Sequence, residues 1–263
     1  MTISARFDHV ARARSSLGNL LGHEPGSQVQ ATLASTQVTV ESALELLRAN
    51  IARTPHRGDL QAGAERISAS GIKRAVDVVG AALLLVFLAP LLIMVMVIIR
   101  LESPGPVLFK QRRTGHRGAP FVIYKFRTMT VAEDGDAVVQ ARLQDQRITA
   151  FGRILRRSSI DELPQLINVL RGEMALVGPR PHALAHDRFY SSVVSQYYLR
   201  FLAKPGISGL AQVCGSRGPT PTAEAMATRI ELDLDYIQNW SVKLDFAILV
   251  ETLLSCFVSP AAF

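Results

Sequence analysis

The chain has 263 residues; 48% are apolar but only 6% aromatic, and Lys and Arg outnumber Asp and Glu by 29 to 22. That length allows one large or two small domains, a mean hydropathy of +0.20 is high for a soluble protein, and the basic balance favours anionic partners: nucleic acid, phosphorylated small molecules or anionic lipid headgroups. The two cysteines, Cys214 and Cys256, are far apart and lack CxxC spacing, which excludes a cysteine metal framework and a disulfide scaffold and makes a reducing compartment the expectation.

Residues 1–70 are rich in Ser, Ala, Arg and Gln. Residues 1–21 have no continuous apolar core, so no secretory signal is expected. Only residues 38–51 have helical spacing, through Val40, Leu44, Leu47 and Ile51. This segment reads as a flexible polar arm with one amphipathic helix, and a regulatory or partner-binding arm is the alternative.

Residues 71–102 form the membrane segment. From Ala75 to Ile99 the only charge is Asp77, and this apolar run exceeds the roughly 20 residues that a helix needs to cross a bilayer. Pro90 lies near its middle, where it removes a backbone hydrogen bond. Lys73 and Arg74 precede the run and Arg100 follows it, so positive charge does not distinguish the two ends. A kinked transmembrane helix and a helix that bends at Ala89-Pro90 and returns to the same face both satisfy these residues.

Beyond the turn cluster Ser103-Pro104-Gly105-Pro106, residues 107–111 and 121–126 read as strands of a β-hairpin. Lys110, Arg112, Arg113, Arg117, Lys125 and Arg127 fall within it without an acid, which fits a solvated basic loop or contact with phosphates and headgroups. Residues 131–146 are expected as an exposed polar segment. Residues 148–155 and 163–170 are expected as helices, the second ended by Gly172. Residues 204–218 read as a Gly-rich loop with a short strand at 209–213, and residues 223–239 as a helix. Residues 244–258 read as an apolar helix interrupted by Asp245 and Glu251, too short and too charged to span a membrane. It suits a place in the bilayer interface or in the core.

Chemistry centres on Arg156-Arg157-Ser158-Ser159-Ile160-Asp161-Glu162-Leu163-Pro164-Gln165. Pro164 belongs near a helix start, so Asp161 and Glu162 lie beside a helix N-terminus. One reading is structural: Ser159 and Glu162 form a capping box and both acids complement the helix dipole. The other is chemical. Two carboxylates can hold a divalent cation together with substrate phosphates, one of them can attack phosphorus, and Arg147, Arg153, Arg156 and Arg157 can hold phosphate oxygens. Gly178-Pro179-Arg180-Pro181 reads either as a rigid turn with a solvated Arg or as a stiff loop that presents a guanidinium to a phosphate. His116, His182 and His186 have no clear metal-ligand spacing and read as surface or phosphate-contact residues.

The ordered pieces KRAVDVVGA, SPGPVLFKQRRTGHRG, YKFRTM, RITAFGRILRRSSIDELPQLINVLRGEMALVGPRP, KPGISGLAQVCGSRG and DLDYIQNWSVKLDFAIL resemble the bacterial sugar transferases, or monotopic phosphoglycosyl transferases, across about residues 72–255. The resemblance implies an α+β fold: a mostly helical cytoplasmic catalytic domain over 103–263 with a small β-hairpin, anchored by a Pro-broken re-entrant membrane helix and interfacial amphipathic helices. It implies transfer of a sugar 1-phosphate from a UDP-sugar to a polyprenyl phosphate such as undecaprenyl phosphate, with release of UMP. This would be the first membrane step of exopolysaccharide, capsule or related glycan assembly. Residue by residue, it makes Asp161 the nucleophile of a covalent phosphosugar intermediate and Glu162 its metal-binding partner, with Mg²⁺ held by Glu162 and Asp161. Arg113, Lys125, Arg127, Arg156 and Arg180 carry over as phosphate or headgroup contacts. The implied location is the bacterial inner membrane with the site facing the cytoplasm; the partners are the donor, the lipid acceptor and membrane lipid. Nucleic acid is not expected, since no binding signature accompanies the basic charge, and a homo-oligomer is compatible with the sequence. Two departures stand out: Ala89 occupies the place where relatives often carry Ser before the central Pro, and no multi-span module is expected before residue 71. The C-terminal pieces are more like those of relatives that transfer glucose or galactose phosphate than of those that use acetamido sugars. The competing class is a non-catalytic membrane scaffold that keeps the fold, against which the intact Asp161-Glu162 pair speaks.

Overall fold

The computed structural model describes residues 57–130, 145–216, 218, 220 and 222–258. The helix expected over 38–51 and most of the polar segment expected over 131–146 lie outside them. The last part of the polar arm expected over 1–70 is helical. Residues Arg57–Ala69 form helix α1, whose Leu60, Ala64 and Ile67 are buried. They pack toward the late helix α7 (Ala223–Gln238), where Arg66 donates to the carbonyl of Gln238 at 2.7 Å. A side chain at Gly63 would collide with the carbonyl of Ile237, so glycine is what lets the two backbones approach.

Helix α2 runs Gly71–Glu102 and continues through Pro90. Ser70 caps its start by accepting from the Lys73 amide at 3.2 Å. Lys73, Asp77 and Ala81 are buried near its beginning and Val95 and Ile99 near its end, while no residue from 82 to 94 is buried. Phe87 and Val86 there are 80% and 76% exposed. An exposed apolar stretch of that size is what a bilayer, and not water, would cover.

Both ends of α2 are tied to the same body. At the start, Lys73 Nζ donates to Asp245 Oδ2 at 2.8 Å and to the Val177 carbonyl at 3.1 Å, and Asp77 accepts from the Leu176 amide at 2.9 Å. At the end, Val95 and Ile99 pack with Phe126 and Leu155 in a small separate core.

The expected hairpin is present and its first strand is longer than its apolar residues indicated. Strands β1 (Leu108–Thr114) and β2 (Pro120–Phe126) pair antiparallel, with Leu108 opposite Phe126 and Thr114 opposite Pro120. Arg112 and Arg113 thus belong to the ladder and not to the loop. Helix α3 (Ala150–Ser158) begins two residues later than expected, with Thr149 as its cap accepting from Gly152. A 3₁₀ turn (Ile160–Gln165) leads into α4 (Leu166–Arg171), which Gly172 ends in the left-handed conformation, φ 81°.

The strand expected at 209–213 is not there. Strand β4 is Gly206–Ser208, parallel to β3 (Ala175–Val177), and residues Leu210–Val213 form the short helix α6. The reason is close backbone contact: the Gly178 amide donates to the Ser208 carbonyl and the Gly206 amide to the Pro179 carbonyl, each at 2.9 Å, with no room for a Cβ at Gly206. Helix α5 (Leu184–Val193) and a 3₁₀ turn (Tyr197–Leu202) lie between β3 and β4.

Helix α8 (Val242–Val258) takes the core place open to it from sequence and keeps an exposed apolar side. Leu244, Ala247 and Ile248 enter the main core, while Phe246 and Leu253 are 60% and 62% exposed.

Candidate active site

Ser159 adopts φ 56° and turns the chain sharply after α3, so the Asp-Glu pair enters a 3₁₀ turn just before Pro164. The capping box does not form. Ser159 makes no side-chain cap, and the Glu162 carboxylate reaches two cations instead. Lys125 Nζ on β2 donates to Oε1 at 2.7 Å, and Arg180 donates through Nη1 to Oε2 at 3.0 Å and through Nη2 to Oε1 at 2.5 Å. The fork of Arg180 on both carboxylate oxygens is the bidentate geometry that guanidinium favours.

The two acids are therefore chemically unlike. Burial would push the Glu162 carboxyl up, but Arg180 and then Lys125 outweigh it and hold it well below the usual carboxylate range. Asp161 is buried, and no hydrogen bond to its carboxylate occurs among the described residues. Burial first, and the neighbouring Glu162 charge second, push it up to about 6, against a partial pull from Lys125, Arg156 and Arg180. Burial also lowers Lys125, with Glu162 opposing. One carboxylate is thus locked in an ion-pair cluster, and its neighbour is left anionic at neutral pH without a partner of its own.

The other basic residues singled out from sequence divide. Arg156 lies close enough to influence Asp161, with Nη1 at 3.7 Å from Met129 Sδ. Arg113 donates to the Pro181 carbonyl at 3.3 Å and to Gln111 Oε1, so it supports the loop that carries Arg180. Arg127 is not gathered with the dyad. It is buried, and its guanidinium donates to the carbonyls of Ile99, Ser103 and Pro104 and to the Ser103 hydroxyl, closing the end of α2. Arg147 forks onto Asp145, and Arg153 and Arg157 are exposed. Of the histidines, His182 is not at the surface. It is buried, and burial followed by Arg200 holds it well below its ordinary value, so it is neutral.

Sequence reasoning missed what lies behind Arg180. Arg200 and Asp233 form a buried ion pair at 2.8 Å. Arg200 also reaches His182 Nδ1 at 2.6 Å and the Arg180 carbonyl at 2.5 Å, and Tyr197 donates to Asp187 Oδ1 at 2.7 Å. The hint was available: an Arg within the apolar run YYLRFLA and an Asp flanked by leucines within ELDLDYI.

Among the described residues no three His, Cys, Asp or Glu side chains cluster as a metal cage. Two carboxylates with substrate phosphates would still suffice for Mg²⁺. Asp161 has no competing partner among the described residues, and Glu162 Oε2 accepts from one donor only, which leaves it a lone pair. The donor set fits a hard cation.

A family model described as bacterial sugar transferase matches residues 68–259. The chain is 54% identical over 198 residues to a UDP-glucose:undecaprenyl-phosphate glucose-1-phosphate transferase of Caulobacter vibrioides, covering 75% of this chain and 74% of that protein. It is 48% identical over 192 residues to the Escherichia coli protein of the same description, covering 73% of this chain but only 41% of that relative. It is 40% identical over 182 residues to a UDP-N-acetylgalactosamine-undecaprenyl-phosphate N-acetylgalactosaminephosphotransferase of Aeromonas hydrophila, covering 69% of this chain and 43% of the relative. The chain therefore spans less than half the length of the last two.

Proposed function

Since the chain belongs to the bacterial sugar transferase family, we propose that it transfers glucose 1-phosphate from UDP-glucose to undecaprenyl phosphate and releases UMP. This would be the committing membrane step of exopolysaccharide or related glycan assembly. Glucose is favoured because the relatives described as glucose-1-phosphate transferases are 54% and 48% identical, against 40% for the acetamido-sugar relative.

The observation that carries the mechanism is the unequal pair: Glu162 is clamped by Lys125 and Arg180, and the buried Asp161 carboxylate is free of such a clamp. A carboxylate that no cation clamps is the better nucleophile of the two, since no ion pair has to break before it attacks. Asp161 Oδ attacks the phosphorus that bears the sugar. A bond to that phosphorus forms, the bond to the UMP oxygen breaks, and UMP leaves with the electron pair. An oxygen of the lipid phosphate then attacks the same phosphorus and the carboxylate departs unchanged. Bound Mg²⁺ would neutralise charge on the phosphates. Lys125, Arg156 and Arg180 lie where they can stabilise the transferring group as negative charge builds on it.

The seating of α2 supports a re-entrant anchor. Lys73, Asp77 and Ala81 on one side of Pro90 and Val95 and Ile99 on the other are buried against the rest of the chain, as a helix that re-enters one face and dips residues 82–94 into the bilayer would require. A straight span would leave one end across the bilayer from the catalytic residues. The dyad then sits at the cytoplasmic surface, where a soluble donor and a lipid acceptor can both reach it, and the exposed side of α8 lies along the interface.

The test is the intact mass of detergent-purified protein incubated with Mg²⁺ and a panel of UDP-sugars without lipid. A gain of one hexose phosphate with UDP-glucose, absent from Asp161→Asn, is expected. No adduct with any donor, together with no UMP release once undecaprenyl phosphate is added, would favour a non-catalytic scaffold.

A further inference from the structure

The Gly178-Pro179-Arg180-Pro181 loop aims a guanidinium at Glu162, and the prolines explain only part of its stiffness. Proline fixes φ but leaves ψ free, so the loop could still swing as a unit. Three consecutive carbonyls stop it. Pro179 O accepts from the Gly206 amide of β4 at 2.9 Å, Arg180 O from Arg200 Nη2 at 2.5 Å, and Pro181 O from Arg113 Nη1 at 3.3 Å. The central one belongs to the residue whose side chain grips Glu162, and its donor is the most deeply anchored. Arg200 is 2% exposed. Its other contacts reach Asp233 of α7 at 2.8 Å, His182 Nδ1 at 2.6 Å and the Tyr197 hydroxyl at 3.3 Å, with its guanidinium carbon 5.4 Å from the Tyr197 ring centre.

A fully buried guanidinium is costly to desolvate and is a poor choice for stability alone. Its value is geometric, because a planar fork can hold a carbonyl, an imidazole and a carboxylate in fixed relation. We propose that Arg200, held by Asp233, is a positioning residue that fixes the Arg180 backbone and so aims the Arg180 guanidinium at Glu162. It touches no reacting atom. It couples α7, through one buried pair, to the loop beside the dyad. The proposal deepens the transferase reading and rests on it for its activity readout.

Because Arg200 acts through Arg180, its effect must vanish when the Arg180 side chain is gone. Four proteins decide this: wild type, Arg200→Lys, Arg180→Ala and the double variant. Each is assayed for UMP release with UDP-glucose and undecaprenyl phosphate, with UMP release by the wild type as the test of the function itself. Lysine keeps the charge opposite Asp233 but cannot span the carbonyl and His182 together. A displacement near 1 Å costs on the order of 100-fold in rate, so Arg200→Lys is expected to lose roughly 10- to 100-fold in kcat/KM. The double variant is expected to be no worse than Arg180→Ala alone. Multiplying losses in the double variant, or an unimpaired Arg200→Lys, would overturn the proposal.

Should Arg200→Lys fail to fold, the paired change Arg200→Met with Asp233→Leu removes both members of the ion pair together, and it takes the place of Arg200→Lys in the same cycle. Should the wild type release no UMP with any donor, the function falls but the inference does not. The cycle is then read on unfolding temperature, where Arg180→Ala should cost less once Arg200 is replaced. Equal costs in both backgrounds would overturn it there.

Discussion

Asp161→Asn is expected to abolish activity and to make the protein more stable. The buried Asp161 carboxyl is raised from 3.8 to about 6, by burial first and by Glu162 second. A folded-state value above the unfolded one means that ionised Asp161 opposes folding. At one tenfold step per pH unit, the cost at pH 8 is roughly 3 kcal/mol. It is relieved as pH falls from about 6 toward 3.8, where the carboxyl becomes neutral in both states. Asparagine copies the shape of the neutral carboxyl and has no charge to desolvate. For a domain of this size the gain corresponds to an unfolding temperature about 6–12 °C higher at pH 8. The assay is thermal unfolding of both proteins in one detergent across pH 4–8, beside intact-mass measurement of the sugar-phosphate adduct. The stability gap should shrink to roughly half by pH 5 and nearly close by pH 4. An Asn variant that is less stable than the wild type at pH 8, or a gap that widens toward acid pH, would refute the claim that Asp161 is a buried and unpaired anion.

Further outcomes follow from named contacts. Lys125→Met strips Glu162 of one of its two cations and is expected to slow adduct formation by roughly 100- to 1,000-fold, measured by quenched-flow mass spectrometry. Arg127→Met removes the guanidinium that donates to Ile99, Ser103 and Pro104 at the end of α2; it should lower stability by about 3 kcal/mol in thermal unfolding while leaving KM for the donor near its wild-type value. Gly63→Val forces a side chain against the Ile237 carbonyl; the strain, about 1–3 kcal/mol, should release α1, read as new trypsin cleavage at Arg66, and protection equal to wild type would contradict the docking of α1 on α7.

Much of this protein is legible in its residues because the signals are local. The apolar run after Lys73 is long and apolar enough to cross a bilayer as a helix. The aromatic and β-branched run Phe121–Val122–Ile123–Tyr124 and the Gly-His-Arg-Gly turn mark a hairpin, and Gly172 marks a helix end through a conformation that glycine adopts freely. Asp161 and Glu162 were visible as a pair, with Arg180 as a cation near them in the chain's chemistry.

Their inequality was not visible. Whether a carboxylate is clamped or alone depends on which cations arrive from elsewhere, here Lys125, 37 residues before Glu162, and Arg180, 18 after it. The same physics misled the reading of Arg127, a basic residue in a basic stretch that the chain turns inward to hold the α2 carbonyls. It hid strand β4, whose ladder depends on the distant β3 and on two glycines in backbone contact. It hid the Arg200–Asp233 pair, because a buried charge is tolerable only once its partner is in place. Composition and spacing decided the apolar segment, the hairpin, the glycine stop at 172 and the presence of the acid pair, since each rests on the preferences of neighbouring residues. Tertiary structure alone decided which acid is free, which cations clamp the other and what holds the Arg180 loop still, because electrostatics inside a protein is set by distance and burial, neither of which is written along the chain.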